Sequence, residues 1–339
     1  MTDGRNGRRK PAWRRTGAPR RKGRRRRSHR PLWALLGLTA LAAIATILSS
    51  RRIHPMEDEE WDDLLDQGAA GRGPFPSVRV RLAGPAGELA VDDGGSGGLP
   101  VVFVHALGGS AEQWRAQLEH LRPDRRALAI ELRGHGGSEP AAGGDYGIAA
   151  FADDVEAVAD DLGLESFVLA GHSLGAAVTV EVAARHPGRV AGLLLVDPSG
   201  DQTRAPRAEA EAFLSTLRAD PEAEFGFYFK QLLLGAAPEV ADRVLADLAR
   251  VEPPALLAAV ESAAEYSPTE ALARYPGPKL ALITDFNTLP TSLHRLVPDL
   301  PALPFPGTSH WPMLDRPEEL NRVVDGFLAR IEAPAEAAG

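Results

Sequence analysis

Five residues, Gly171-His172-Ser173-Leu174-Gly175, stand between a β-rich run at 166–170 and an Ala-rich helical stretch that reaches about His186. A serine with glycine two residues away on either side suits a sharp strand-to-helix turn that pushes Oγ clear of the backbone. Side chains at 171 or 175 would collide with the neighbouring strand and helix. Taken alone, Ser173 also reads as an ordinary helix cap. The strand before it and the helix after it supply the context that a nucleophilic serine needs.

Three other apolar runs end in suggestive residues. Val101-Val102-Phe103-Val104 leads to His105-Ala106-Leu107-Gly108-Gly109, and 127–130 leads to Glu131-Leu132-Arg133-Gly134-His135-Gly136-Gly137-Ser138. The run at 193–196 ends at Asp197-Pro198. Short β-rich runs alternating with helical stretches predict an α/β fold with a mostly parallel sheet and helices on both faces. Such sheets gather ligands at the carboxyl ends of their strands, so these residues are expected along one edge. About 80 residues between Asp197 and Lys279 do not read as sheet. Helices are expected at 206–217, 225–234, 240–251 and 255–264, separated by prolines and glycines.

From about residue 78 to 331 the chain resembles an α/β-hydrolase fold enzyme. The His105 turn, the Arg133–Ser138 turn, the Ser173 elbow and a late histidine in Gly307-Thr308-Ser309-His310-Trp311-Pro312 carry the likeness. The resemblance implies a helical cap at about 200–275, inserted before the last strands, and a catalytic domain over 76–339. It also implies a triad in the order Ser, acid, His. Ser173 is the expected nucleophile and His310, after the strand-like run at 302–305, the expected base. His105, His135 and His172 belong to structural turns in this likeness, His120 and His186 fall in helical stretches, and His294 in a polar helix or loop.

The acid is less direct. After the run 279–284 come Asp285-Phe286-Asn287-Thr288, and the spacing puts Asn287 at the usual acid position with Asp285 early. A family variation carries the acid one strand earlier, at Asp197. Because Asn does not stabilise an imidazolium as a carboxylate does, Asp197 is preferred and Asp285 is the alternative. The oxyanion donors expected from the likeness are the N–H groups of Leu107 and Leu174. Ala106 departs from the more common His-Gly and is tolerable if its φ is negative.

These residues imply a serine esterase that cleaves a carboxylic ester or lactone through an acyl-enzyme. The expected partner is a small-molecule substrate with an apolar group, held by Phe225, Phe227, Tyr228, Phe229 and 232–234. Acyl transfer or C–C bond hydrolysis with the same triad, and a non-catalytic ligand-binding protein of the same fold, are the alternatives. No metal or organic cofactor is expected, since no ligand cluster has suitable spacing. The chain has no cysteine, which excludes disulfides, thiolate metal sites and a Cys nucleophile.

Charge is divided sharply. Residues 1–52 hold 16 of the 38 Lys and Arg but one of the 46 acidic residues, so the net −8 combines +15 there with −23 beyond. Residues 32–48 are uncharged, long enough as a helix to cross a bilayer with little tilt. The expectation is an Arg-rich cytoplasmic tail at 1–31, a single-pass transmembrane signal anchor at 32–48 and an acidic Gly/Pro-rich linker at 49–75. The catalytic domain then lies outside the cytoplasm. Secretion after signal cleavage is the alternative. Nucleic acid is not an expected partner, because Trp13 is the only aromatic residue interleaved with the arginines.

Overall fold

The computed structural model describes Met1 and residues 78–333. The tail, anchor and linker expected at 1–31, 32–48 and 49–75 therefore lie outside the described residues, Met1 aside. Among the described residues, no helix is long and apolar enough to cross a membrane.

Eight strands form one sheet: β1 Val78–Gly84, β2 Gly87–Gly94, β3 Val101–Val104, β4 Ala127–Ile130, β5 Phe167–His172, β6 Val190–Val196, β7 Lys279–Ile283 and β8 Ala302–Pro304, in the order β1-β2-β4-β3-β5-β6-β7-β8. The first two strands pair antiparallel with each other, and β2 pairs antiparallel with β4. The other pairings are parallel. Every residue of β3, β4 and β5 is buried, which requires cover on both faces. That cover comes from two groups of helices. One comprises α1 Arg115–Leu121 with the late α11 Pro317–Glu332, and the other α2 Ile148–Asp161 with α3 Leu174–Arg185. The β1–β2 hairpin is not among the sequence expectations: only three of its fifteen strand residues are buried, so it lacks the continuous apolar run that marks the inner strands.

Between β6 and β7 the chain forms α4 Arg207–Ala219, α5 Pro221–Leu232, α6 Pro238–Leu248, α7 Pro253–Glu265 and a short α8 Pro268–Leu272. The sequence predicts four helices here, and the structure adds α8 as a fifth. Helices α5, α6 and α7 start earlier than expected because each begins on proline, whose missing N–H costs nothing in a first helical turn. Two further short helices, α9 Leu293–Leu296 and α10 Pro312–Asp315, flank β8.

Candidate active site

Strand β5 ends at His172, and α3 starts at Leu174, leaving Ser173 to make the whole turn at φ 53°, ψ −113°. Among the described non-glycine residues only Ser173 and Asp197 have positive φ. Strain of this kind persists only where surroundings enforce it. Ser173 is held by its N–H donating to the Val196 carbonyl at 3.1 Å, while its own carbonyl accepts from the Ser199 amide at 3.3 Å. A Cβ at Gly171 would lie 2.5 Å from the Gly175 carbonyl oxygen and from Thr179 Oγ1, and one at Gly175 would strike the His105 carbonyl. Both glycines are thus required by close packing.

Parallel pairing of β5 with β6 sets His172 opposite Val196, so the next residues, Ser173 and Asp197, leave the sheet side by side. Asp197 is fully buried and has three donors. His310 Nδ1–H donates to Oδ2 at 2.5 Å, Thr284 Oγ1–H to Oδ2 at 2.6 Å and the Thr284 amide to Oδ1 at 3.0 Å. Burial pushes the Asp197 carboxyl up, but the His310 charge, its hydrogen bond and the two Thr284 donors outweigh burial and hold it below the usual carboxylate range. Engaging Nδ1 leaves Nε2 of His310 as the nitrogen available for a serine proton.

His310 is held by backbone and ring contacts from three neighbours. His172 Nε2–H donates to the His310 carbonyl at 2.6 Å, and the two rings are 4.7 Å apart. The His310 amide donates to the Leu232 carbonyl at the end of α5, 3.1 Å away. Trp311 meets the imidazole edge to face at 5.3 Å. Burial drives His172 well below an ordinary histidine, with His310 adding to the effect, so it stays neutral as a donor to that carbonyl.

Asp285 is exposed and accepts from the Gly307 amide at 2.9 Å; no bond joins it to His310. Asn287 Nδ2 donates to the Pro198 carbonyl at 2.6 Å and so braces the loop that bears Asp197. Of the candidate acids, the structure brings Asp197 to the imidazole. Leu107 and Leu174 are both buried near the elbow, and neither N–H donates to a protein acceptor among the described residues. Ala106 has no positive φ, so alanine fits without backbone strain, and Gly108 takes the left-handed conformation instead, φ 65°.

Other histidines have structural bonds. His105 Nδ1–H donates to the Ala106 carbonyl at 2.7 Å, while Nε2 accepts from the Leu132 amide at 3.1 Å, and burial lowers its pKa to about 4. His135 is lowered by burial to about 3. His120 pairs with Asp325 at 2.8 Å.

The expected pocket wall needs correction. Phe225, Phe229 and Leu233 are buried, whereas Phe227 is 45% and Leu234 61% exposed. Helical periodicity puts 225 and 229 one turn apart on the inner face of α5 and 227 on the outer one, while 234 lies in the turn past the end of the helix. Phe229 packs on Trp311 at 5.8 Å. Half-buried Tyr228 is one turn before Leu232, whose carbonyl holds His310. Burial raises its phenol, and the Asp197 charge adds to this. His294, on α9, is half-buried, and burial lowers its pKa despite the nearby Asp197. Thr284 was not singled out from sequence, Tyr228 was expected only as pocket wall and His294 only in a polar helix or loop, because nothing in one dimension marks which side chains converge on a strand end. Among the described residues, no cluster of His, Cys, Asp and Glu forms a metal site.

A sheet of this order, with a strained serine elbow and an Asp–His pair on the following loops, defines an α/β hydrolase. The chain belongs to the Alpha/beta hydrolase family, whose match covers residues 101–323. A thermophilic esterase from Thermogutta terrifontis is similar in structure, with TM-score 0.64 and 27% identity, over 76% of this chain and 100% of the esterase. The sn-1-specific diacylglycerol lipase ABHD11 of Mus musculus is 27% identical over 263 residues, 69% of this chain and 83% of the lipase. The dihydrolipoyllysine-residue acetyltransferase component of the acetoin cleaving system of Cupriavidus necator is 31% identical over 188 residues, 55% of this chain. This chain spans 47% of that component and 37% of its Pseudomonas putida counterpart.

Proposed function

We propose that the protein is a serine hydrolase that cleaves a carboxylic ester or lactone through an acyl-enzyme on Ser173. The observation that carries this is the short Asp197–His310 bond beside a serine forced into the elbow conformation. Ser173 Oγ attacks the substrate carbonyl carbon as its proton passes to His310 Nε2. The new oxyanion accepts from the Leu107 and Leu174 amides, and the imidazolium formed is stabilised by Asp197. When the tetrahedral centre collapses, the C–O bond to the leaving alkoxide breaks and the alkoxide takes the Nε2 proton. Water then attacks the acyl carbon with His310 again as base, and the acid leaves as Ser173 Oγ is reprotonated.

The test is labelling with a fluorophosphonate, followed by turnover of p-nitrophenyl esters of graded chain length. We expect Ser173 to be modified and Ser173→Ala to be inert. Folded protein that reacts with neither sinks the proposal. Likeness to an acetyltransferase component favours one second reading, acyl transfer to a thiol or alcohol from the same acyl-enzyme. Product analysis with competing alcohols separates the two.

Placement is part of the same proposal: residues 32–48 anchor the chain as a single pass, with 1–31 cytoplasmic and the hydrolase domain outside. Protease added to intact cells should digest the domain; a protected domain refutes this placement.

A further inference from the structure

The loop that follows β3 carries the Leu107 amide, and it is gripped from two directions. From the body, Glu131 Oε1 accepts the Ala111 amide at 3.1 Å, and Oε2 accepts the Gly137 amide at 2.6 Å, which ties the loops after β3 and β4 together. From the cap comes Asp247, next to last in α6, only 7% exposed. Its Oδ2 accepts Ser110 Oγ–H at 2.9 Å and Gln113 Nε2–H at 3.1 Å, and both donors are buried.

The packing around this contact is tight. A Cβ at Gly108 would come within 2.8 Å of Leu248 Cδ1 and 3.2 Å of Phe229 Cζ, and one at Gly109 within 2.8 Å of Gln113 Oε1. The cap therefore rests directly on Gly108, the residue after Leu107. Burying a carboxylate here is costly, and burial drives Asp247 upward, with Ser110, Gln113 and the Arg250 charge only partly offsetting it. A helix face meant only to pack would carry an apolar residue at this position.

We infer that Asp247 is a positioning residue: from the cap, it holds the loop bearing the Leu107 amide where an oxyanion develops. This rests on the reading of Leu107 as an oxyanion donor given above. Both hydrogen-bond donors to Asp247 are neutral and reach Oδ2, while Oδ1 lies 3.6 Å from the exposed guanidinium of Arg250 on the solvent side, so the grip on the loop requires an acceptor at Oδ2 and not a charge. Asparagine supplies that acceptor and leucine, of similar size, does not.

The test uses the full chain with Asp247→Asn, Asp247→Leu and Ser110→Ala. Steady-state kinetics on a p-nitrophenyl ester are read beside hydrogen exchange of peptides covering 105–113. For Asp247→Leu we expect kcat to fall by roughly tenfold or more with KM within about threefold, since the contact acts on the transition state. Exchange at 105–113 should rise while β5 stays protected. Asp247→Asn should keep wild-type exchange and most of kcat, and Ser110→Ala should show a smaller change of the same kind. Unchanged exchange and kcat in Asp247→Leu, or equal damage in Asp247→Asn, overturns the inference. If Asp247→Leu does not fold, Ser110→Ala decides: unaltered exchange at 105–113 overturns it equally. The exchange arm needs no substrate, so a wild-type chain inert toward esters defeats the hydrolase proposal and leaves the positioning of this loop to be judged by exchange.

Discussion

The choice between two aspartates turns on atoms that only folding brings together. Asp197 sits at φ 40° with His310 and Thr284 donating to it, whereas Asp285 serves the Gly307 amide. Replacing Asp197 with Ala or Asn should lower kcat by about 10³–10⁴, because His310 loses both its tautomer and its counter-charge. Asp285→Ala should stay within about threefold, as exposed loop changes usually do. Ester kinetics on the two variants check this, and the opposite ranking would refute the role of Asp197. The sequence narrowed the acid to these positions by the order Ser, acid, His. It did not show Thr284 as the second anchor of the carboxylate, since a threonine ending a strand has no signature of its own.

At the scale of elements, the elbow works because two glycines let β5, α3 and the loop after β3 approach within backbone contact. Gly175→Ala sets a methyl against the His105 carbonyl, and backbone atoms cannot step aside as a side chain would. A loss of at least about 2 kcal/mol in urea unfolding is expected, together with loss of esterase activity. Gly188→Ala, where no atom lies within 4 Å, should change stability by less than about 0.5 kcal/mol. A second element contact joins the turn after β4 to α2: Arg133 Nη2 and Nε donate to Asp154 at 2.6 and 2.8 Å, with both side chains buried. Asp154→Ala strands the guanidinium and should cost about 3–5 kcal/mol in the same assay. Strand ends and the elbow were legible in sequence as apolar runs stopped by Gly, His and Asp. The β1–β2 hairpin and α8 were not, one being mostly unburied and the other a single short turn of helix.

Across the whole molecule, pH acts through imidazoles that fold in the neutral form. His105 at about 4, His135 at about 3 and His172, also far below its ordinary value, bind no proton in the folded state at a pH where the unfolded chain does. Stability should therefore be flat above about pH 6.5 and fall as pH drops from there toward 4, each imidazole steepening the slope by up to about 1.4 kcal/mol per pH unit. Asp197, lowered in the fold, adds a further loss only once pH falls below the ordinary carboxylate value near 3.8. Urea unfolding between pH 4.5 and 7.5 tests the sign, and stability that rises on acidification contradicts it.

By itself, the sequence determined the alternation of strands and helices, the glycine-flanked serine and the late histidine loop. Each of these is a local demand, written into neighbouring residues by sterics and hydrophobic period. Tertiary structure alone decided which aspartate meets His310, which cap residues face inward and that Asp247 reaches the loop of Leu107. Those depend on the register of β6, β7 and β8 and on how α5 and α6 settle over the sheet edge, and distances along the chain carry no measure of either.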